Sequence, residues 1–465
     1  MYKMSIIYNL HFQYFLLMKV HLIAIGGSAM HNMALALHHK GFDVSGSDDS
    51  IFEPSKSRLD SHGLLPDEYG WFPDKIHKEL DAIILGMHAR IDNPELLRAQ
   101  ELNIPIFSYP EYIYEQSKTK KRIVIGGSHG KTSITAMVLH VLNYLQLDCD
   151  FMVGAQLKGF DTMVKLTKDA PIIILEGDEY LSSPIDRRPK FHWYKPHIAV
   201  LSGIAWDHIN VFPTFDNYVQ QFRIFKEDVK EVLIYYESDK VLNQLANEKS
   251  KCRLKAYATP THEIENGVTF LVDENERIPL KVFGEHNLQN MNAARLVCHE
   301  VGVNKEQFYE AIQSFNGASK RLELVRKNTK FAMYKDFAHS PSKLKATSTA
   351  MKKQFANRKL IACMELHTFS SLNKVFLKEY KGCMDTPDEA IVFFSKKAIE
   401  HKKLDEISIN EVHKAFDRKD LKVFTNTDEL EAYLISKDWQ NKILLMMSSG
   451  NFDGLDFDNF SVKLF

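Results

Sequence analysis

The stretch Arg122–Leu145, RIVIGGSHGKTSITAMVLHVLNYL, limits what this chain can fold into more than any other segment. Beta-branched residues run into Gly126 and Gly127, and a second break comes at Gly130. Lys131, Thr132 and Ser133 then open an apolar pattern at Ile134, Met137, Val138, Val141, Leu142 and Leu145, a helical spacing. A strand, a glycine-containing turn and a helix N-terminus in that order form a phosphate cradle. Backbone N–H groups from Ser128 to Thr132 converge on the anion, the helix dipole favours negative charge, Lys131 reaches outer phosphates, and the Thr132 hydroxyl can ligate magnesium. The standard pattern opens on a glycine where this chain has Ile125, so a shortened loop is required. A surface turn that happens to contain Gly-Lys-Thr is the alternative.

At 465 residues the chain has room for roughly two or three cores. Lys+Arg 59 against Asp+Glu 60, with no dense basic block, argues against a nucleic-acid partner and for small-molecule chemistry. Cys149, Cys252, Cys298, Cys363 and Cys383 lie far apart without a CxxC pair, which indicates reduced thiols, a cytoplasmic setting, and neither disulfides nor zinc. Met1–Met18 is apolar and aromatic but lacks a small-residue cleavage site, and it runs directly into a strand pattern. Residues 1–17 are therefore expected to be an N-terminal extension from an upstream start. No run reaches membrane-spanning length, and the oligomeric state, monomer or homodimer, is left open.

Around the cradle the pattern alternates. Val20–Ile25 is a strand broken by Gly26 and Gly27; Met30, Met33, Ala34 and Leu37 form a helix face; Asp43–Ser47 is a second strand, followed by Asp48. This resembles the first turn of a doubly wound nucleotide-binding sheet, but only the adjacent glycine pair of GxGxxG is present, so a tight structural turn serves equally well. Strands at Ala82–Leu85 and Ile104–Phe107, with a helix from Asn93-Pro94 to Leu102, complete a parallel sheet, and His88 sits just past a strand end. Beyond the cradle, Pro171–Leu175 ends in Glu176, a carboxylate placed to hold the magnesium of a nucleotide. His197–Ser202 leads to Asp207-His208; on chemistry alone His208 is a hydrogen-bonding residue before it is a metal ligand. Asn287 and Asn290 lie on one side of a helix start, where amides can meet a purine edge or simply cap the helix. Strands at Phe331–Tyr334, Leu360–Met364, Ala390–Phe394 and Ile443–Met447 make a further alternating sheet, with polar loops at 336–341 and 448–454.

GGSHGKTS, LEGDEY, the Asp-His of WDHIN, GEHNLQN, KRLE and DFAHSP occur in the order and spacing of the Mur ligases, the ATP-dependent amide-forming enzymes of peptidoglycan assembly, and the resemblance runs from Lys19 to the end. It implies an α/β chain of three domains: a Rossmann-like UDP-sugar-binding domain over 18–117, a central P-loop-type ATPase domain with a mainly parallel sheet over 118–322, and a Rossmann-like C-terminal ligase domain over 323–465. It also implies ATP and Mg2+, with Gly127, Ser128, His129, Gly130, Lys131, Thr132, Ser133, Asn287, Asn290, Arg321, Asp336 and His339 on the nucleotide. Thr132 and Glu176 would hold one metal ion, and His208 becomes a ligand of a second. Lys131, Glu176 and His208 would carry the catalysis.

Within the family, IGGSAM and GSD resemble the branch that acts on UDP-N-acetylmuramate, which places Gly26, Gly27, Ser28, Ala29, Met30, Ser47, Asp48 and His88 on the sugar nucleotide. One member of that branch adds L-alanine, and another, in peptidoglycan recycling, adds L-alanyl-gamma-D-glutamyl-meso-diaminopimelate. GDEYLSSPIDRRPKFHWYKP and RLELV look closer to the tripeptide-adding member, and Ser371 replaces the arginine that the alanine-adding enzyme carries in its Gln-Pro-His-x-x-Ser-Arg loop. The expectation is therefore the tripeptide, with L-alanine as the alternative. On charge grounds Arg187, Arg188 and Lys190 are candidates for its carboxylates, a solvated turn being the other reading, with His367 beside the amine. A nucleotide-sugar oxidoreductase, suggested by Asp48 and the first turn, and a nucleotide-gated binding protein are the readings from other classes.

Overall fold

The computed structural model describes residues 17–157, 159–206, 211–274, 276–317 and 322–464. Residues 1–16 of the expected extension, with Asp207, His208, Lys320 and Arg321, lie outside the described residues. No described helix is long and apolar enough to cross a membrane.

The first sheet is wholly parallel, in the order Asp43–Ser47, Lys19–Ile23, Ala82–Leu85, Ile106–Ser108. The helix Ser28–His39 follows the Gly26-Gly27 turn and packs Met33, Ala34 and Leu37 into the core. The central sheet has seven strands, in the order Arg253–Tyr257, Val232–Tyr236, Ile198–Leu201, Lys121–Gly126, Ile172–Glu176, Asp150–Met152, Val164–Lys165. All its pairings are parallel except the last. Ile123, Val124 and Ile125 are wholly buried, as a strand covered by helices on both faces requires. One of those helices is the cradle helix Lys131–Tyr144, with Glu285–Glu300 packed along it.

The third sheet runs Glu323–Lys327, Phe331–Asp336, Lys442–Met447, Lys359–Glu365, Glu389–Phe393, Lys422–Phe424, with only the first strand antiparallel. The strands expected from the alternation are all present, with ends moved by a residue or two. The sequence reading passed over Val232–Tyr236, Arg253–Tyr257 and a small antiparallel sheet of His262–Glu265, Val268–Asp273 and Glu276–Leu280. Arg253–Tyr257 and His262–Glu265 are largely exposed and carry charges, so neither shows the apolar run or clean alternation that marks a strand.

Register fixes what leaves each sheet together. Ile125 pairs with Glu176, and Gly126 pairs with Leu201, so the cradle turn, Glu176 and Ser202 emerge at one edge. In the third sheet Asp336 and Met364 both pair with Met447, which brings out the loops after 336, 364 and 447 side by side.

At the other end of the central sheet, Lys120 forms a buried ion pair with Asp150 at 3.0 Å and donates to the Ala170 carbonyl at 2.8 Å. Asp150 also accepts from the Thr167 amide and hydroxyl. Removing one member of such a pair strands the other charge. Lys120→Met is expected to destabilise the chain by about 3 kcal/mol in urea denaturation, against less than about 0.5 kcal/mol for the exposed Lys165→Met.

Candidate active site

Gly130, with φ +79°, is the N-cap of the cradle helix, and a Cβ there would run into the Asn290 side chain. Gly127, with φ +118°, leaves no room for a Cβ against Ser202. Both positions therefore require glycine, for backbone conformation and for close approach. The turn is clamped by Ser202, whose amide and hydroxyl reach the Gly126 carbonyl at 3.2 Å and whose hydroxyl also bonds the His129 carbonyl. One expectation is corrected here. The Ser128 amide is committed to the Gly203 carbonyl at 3.0 Å, so it does not belong to the cradle.

Lys131 Nζ donates to the Gly127 carbonyl at 2.8 Å and to Glu179 Oε2 at 2.6 Å. Thr132 Oγ1 donates to Glu176 Oε1 at 2.9 Å, and the Gly154 amide donates to Glu176 Oε2 at 2.8 Å. Burial pushes the Glu176 carboxyl above its ordinary value, with the Gly154 amide, Lys131 and Thr132 pulling the other way. Burial alone would depress Lys131, but Glu179, Asp178 and Glu176 hold it above its usual value. Asp178, opposed by burial, is brought down to about 2 by Lys190 and Lys131. The site is thus a lysine ammonium among carboxylates at a helix N-terminus. A threonine hydroxyl and an acidic oxygen already in contact suit the magnesium of a nucleotide triphosphate, with Thr132 and Glu176 as the residues to hold it.

Beside the cradle lies a cleft of about 760 Å3. Of the residues expected on the sugar nucleotide, Gly26, Gly27, Ser28, Asp48 and His88 line it. Ala29 is not among its lining, Met30 is buried in the helix core and Ser47 within the strand end. Asp48 accepts from the Gly26 amide at 2.7 Å, so its carboxylate braces the turn, and burial raises its pKa. Sequence reasoning missed the opposite wall, Gly154, Gln156, Asp161 and Met163, and missed Arg58. Arg58 bonds the Asp161 carbonyl and lies 3.3 Å from His31 Nε2; burial, with Arg58 adding to it, holds His31 below its usual pKa.

Asn290 abuts the cradle at Gly130, whereas the Asn287 side chain bonds back to the Phe283 carbonyl at 2.9 Å. Asp336 accepts from the Leu322 and Ala338 amides at 2.7 and 2.8 Å, which fastens the link between the central and third sheets. His339 Nδ1 lies 2.8 Å from the Phe337 carbonyl, and Ser342 Oγ lies 3.3 Å from His129 Nε2, bringing the third domain against the cradle. His367 sits 3.5 Å from the buried Glu365, which also receives Ser448 Oγ and the Phe452 amide, an acidic centre not singled out from the sequence. Arg188 pairs with Asp186 at 3.0 Å and stacks on Trp193, and Lys190 pairs with Asp178 at 2.6 Å. Both pairs are local, and Arg187 is exposed.

Two family models match the chain: the Mur ligase family catalytic domain over residues 19–121 and the Mur ligase middle domain over 125–298. The UDP-N-acetylmuramate–L-alanine ligase of Sulfurihydrogenibium sp. (strain YO3AOP1) is 30% identical over 390 residues, covering 80% of this chain and 82% of that protein. The chain belongs to the Mur ligase family. Among solved structures it resembles the UDP-N-acetylmuramate–alanine ligase of Thermotoga maritima, with a TM-score of 0.69 at 20% identity and coverage of 96% of this chain and 98% of that one. A murein peptide ligase from Psychrobacter arcticus gives 0.65 at 20% identity with the same coverages. As a Mur ligase the protein is an ATP-dependent amide-forming enzyme of peptidoglycan synthesis, and the three-domain α/β fold is the family's.

Burial gives Glu176 a stability cost when ionised. Because its folded pKa lies above its unfolded value, the folded state binds the proton more tightly, and stability falls as pH rises through that window. In the absence of nucleotide, Glu176→Gln is expected to raise the melting temperature at pH 7–8. The gain should vanish near pH 4, about where an ordinary carboxylate protonates, while magnesium-dependent ADP binding weakens by about tenfold or more. Calorimetric scans across pH, with ADP titrations beside them, measure both.

Proposed function

We propose that this ligase activates the lactoyl carboxylate of UDP-N-acetylmuramate by phosphoryl transfer from ATP, and that an amine then displaces phosphate from the acyl phosphate to form an amide. The observation that carries the reading is the segment Gly154–Gln156, which lines the sugar-nucleotide cleft while the Gly154 amide holds Glu176 beside Thr132. A carboxylate extended from that cleft meets the outer phosphate over the cradle. Two anions must approach, so positive charge has to be supplied there: Lys131 and the amides at the helix start do so from the protein. Magnesium, when bound, would offset the remaining phosphate charge. His208 and Arg321 complete the proposed nucleotide and metal contacts, and Asp336 and His339 act with the third domain, whose closure is part of catalysis. The substrates, UDP-linked precursors and ATP, set the reaction in the cytoplasm.

The amine is L-alanine in the activity of the Sulfurihydrogenibium relative, and this weighs against the tripeptide expected from the sequence. L-Alanine is thus the first reading. The tripeptide stands second on one specific observation: Ser371 is wholly buried, with its hydroxyl on Thr368, so that position offers no cation to a single amino acid's carboxylate.

Incubation with UDP-N-acetylmuramate, ATP, magnesium and either amine should release ADP and yield the corresponding amide by mass spectrometry. Release with L-alanine alone excludes the tripeptide reading, and release with neither rejects the proposal. Arg58→Ala should raise KM for the sugar nucleotide by about tenfold with KM for ATP within about twofold; a parallel rise in both would remove Arg58 from the cleft's chemistry.

A further inference from the structure

The helix Phe215–Glu227 turns Tyr218, Phe222 and Phe225 into the core, all wholly buried. The Tyr218 ring stacks edge-on to Phe222 at 5.1 Å and lies 5.4 Å from Phe212, a setting in which phenylalanine would pack equally well. Its hydroxyl nevertheless lies 2.9 Å from Ser128 Oγ and donates to Glu179 Oε1 at 3.0 Å. A phenol has one proton, and a buried hydroxyl is retained only where it is bonded. Since that proton goes to the carboxylate, Ser128 must donate to Tyr218, and Ser128 in turn accepts from the Ala205 amide at 2.8 Å. Every donor in the chain Ala205, Ser128, Tyr218 therefore points toward Glu179, whose other oxygen takes Lys131 at 2.6 Å. The chain also joins the cradle turn to the loop that leads into Asp207.

We propose that Tyr218 is a positioning residue for nucleotide binding: by anchoring Glu179 and Ser128 from the hydrophobic core, it holds the Lys131 ammonium extended across the cradle before ATP arrives. Glu179 occupies the ammonium until a phosphate replaces it, and the Tyr218 bond to one carboxylate oxygen fixes the direction from which the other meets the lysine. The inference rests on the cradle binding a nucleotide, but not on the identity of the sugar or amine.

The test titrates magnesium–ADP by calorimetry into the full chain and into Tyr218→Phe, Glu179→Gln and the double variant, with KM for ATP and for the sugar nucleotide measured alongside. Tyr218→Phe keeps the ring, so the fold should persist, as a melting curve verifies. The expected result is about a tenfold rise in Kd for ADP and in KM for ATP, a KM for the sugar nucleotide within about twofold, and less than about twofold further loss when Tyr218→Phe is added to Glu179→Gln. An unchanged Kd in a folded Tyr218→Phe overturns the proposal. So does a full second loss in the Glu179→Gln background, which would mean that Tyr218 acts independently of Glu179. If the unaltered chain binds no ADP, it is the nucleotide reading that fails.

Discussion

The ammonium of Lys131, held among Glu179, Asp178 and Glu176 at the mouth of a parallel sheet, is the interaction on which the rest of the site depends. Charges removed from water are tolerated only in company. Here the company is supplied by register: the strands ending in Gly126 and Glu176 are hydrogen-bonded neighbours, so the lysine and its carboxylates emerge together. Glycine at 127 and 130 lets the turn close tightly enough for the lysine to reach across it to the Gly127 carbonyl. Glu176, Asp178 and Glu179 stand against the ammoniums of Lys131 and Lys190, and that excess of carboxylate suits a site that takes a divalent cation with its nucleotide.

The three larger sheets are joined through this point. Gly154 reaches from the cleft of the first domain to Glu176, and Asn32 of the first domain accepts from the Met163 amide at 2.9 Å across the same boundary. From the other side Ser342 meets His129, while Asp336 holds Leu322 at the end of the central domain. Further along the same helix, Gln354 bonds Thr269 and Gly267 of the small antiparallel sheet, so the third domain is gripped at both ends of the helix Pro341–Gln354. Movement of that helix would be felt at His129.

Much of the central architecture is legible in local pattern. The apolar runs at 123–126, 173–175 and 198–201 are buried on both faces, so their composition alone marks them as strands, and the helical spacing after Lys131 is equally plain. Thr132 and Glu176 are readable as neighbours because the cradle turn follows one such run and Glu176 ends the next. The exposed strands Arg253–Tyr257 and His262–Glu265 were not legible, since a solvated edge imposes no apolar periodicity. Met30 and Ser47 show the opposite error: a motif position adjacent to ligand-lining residues can face the core, and only the helix phase or strand pleat decides which.

That a glycine turn and a helix start follow a buried strand, that a carboxylate ends another, and that alternating elements build parallel sheets is written along the chain, because these are properties of neighbours. Tertiary structure decided that Glu179 takes Lys131, that Tyr218 stands behind it, that Arg58 joins the far wall of the cleft, and that Asp336 fastens the link to the third domain. Those pairings span from 14 to 103 residues and depend on strand order and helix packing, which no local pattern encodes.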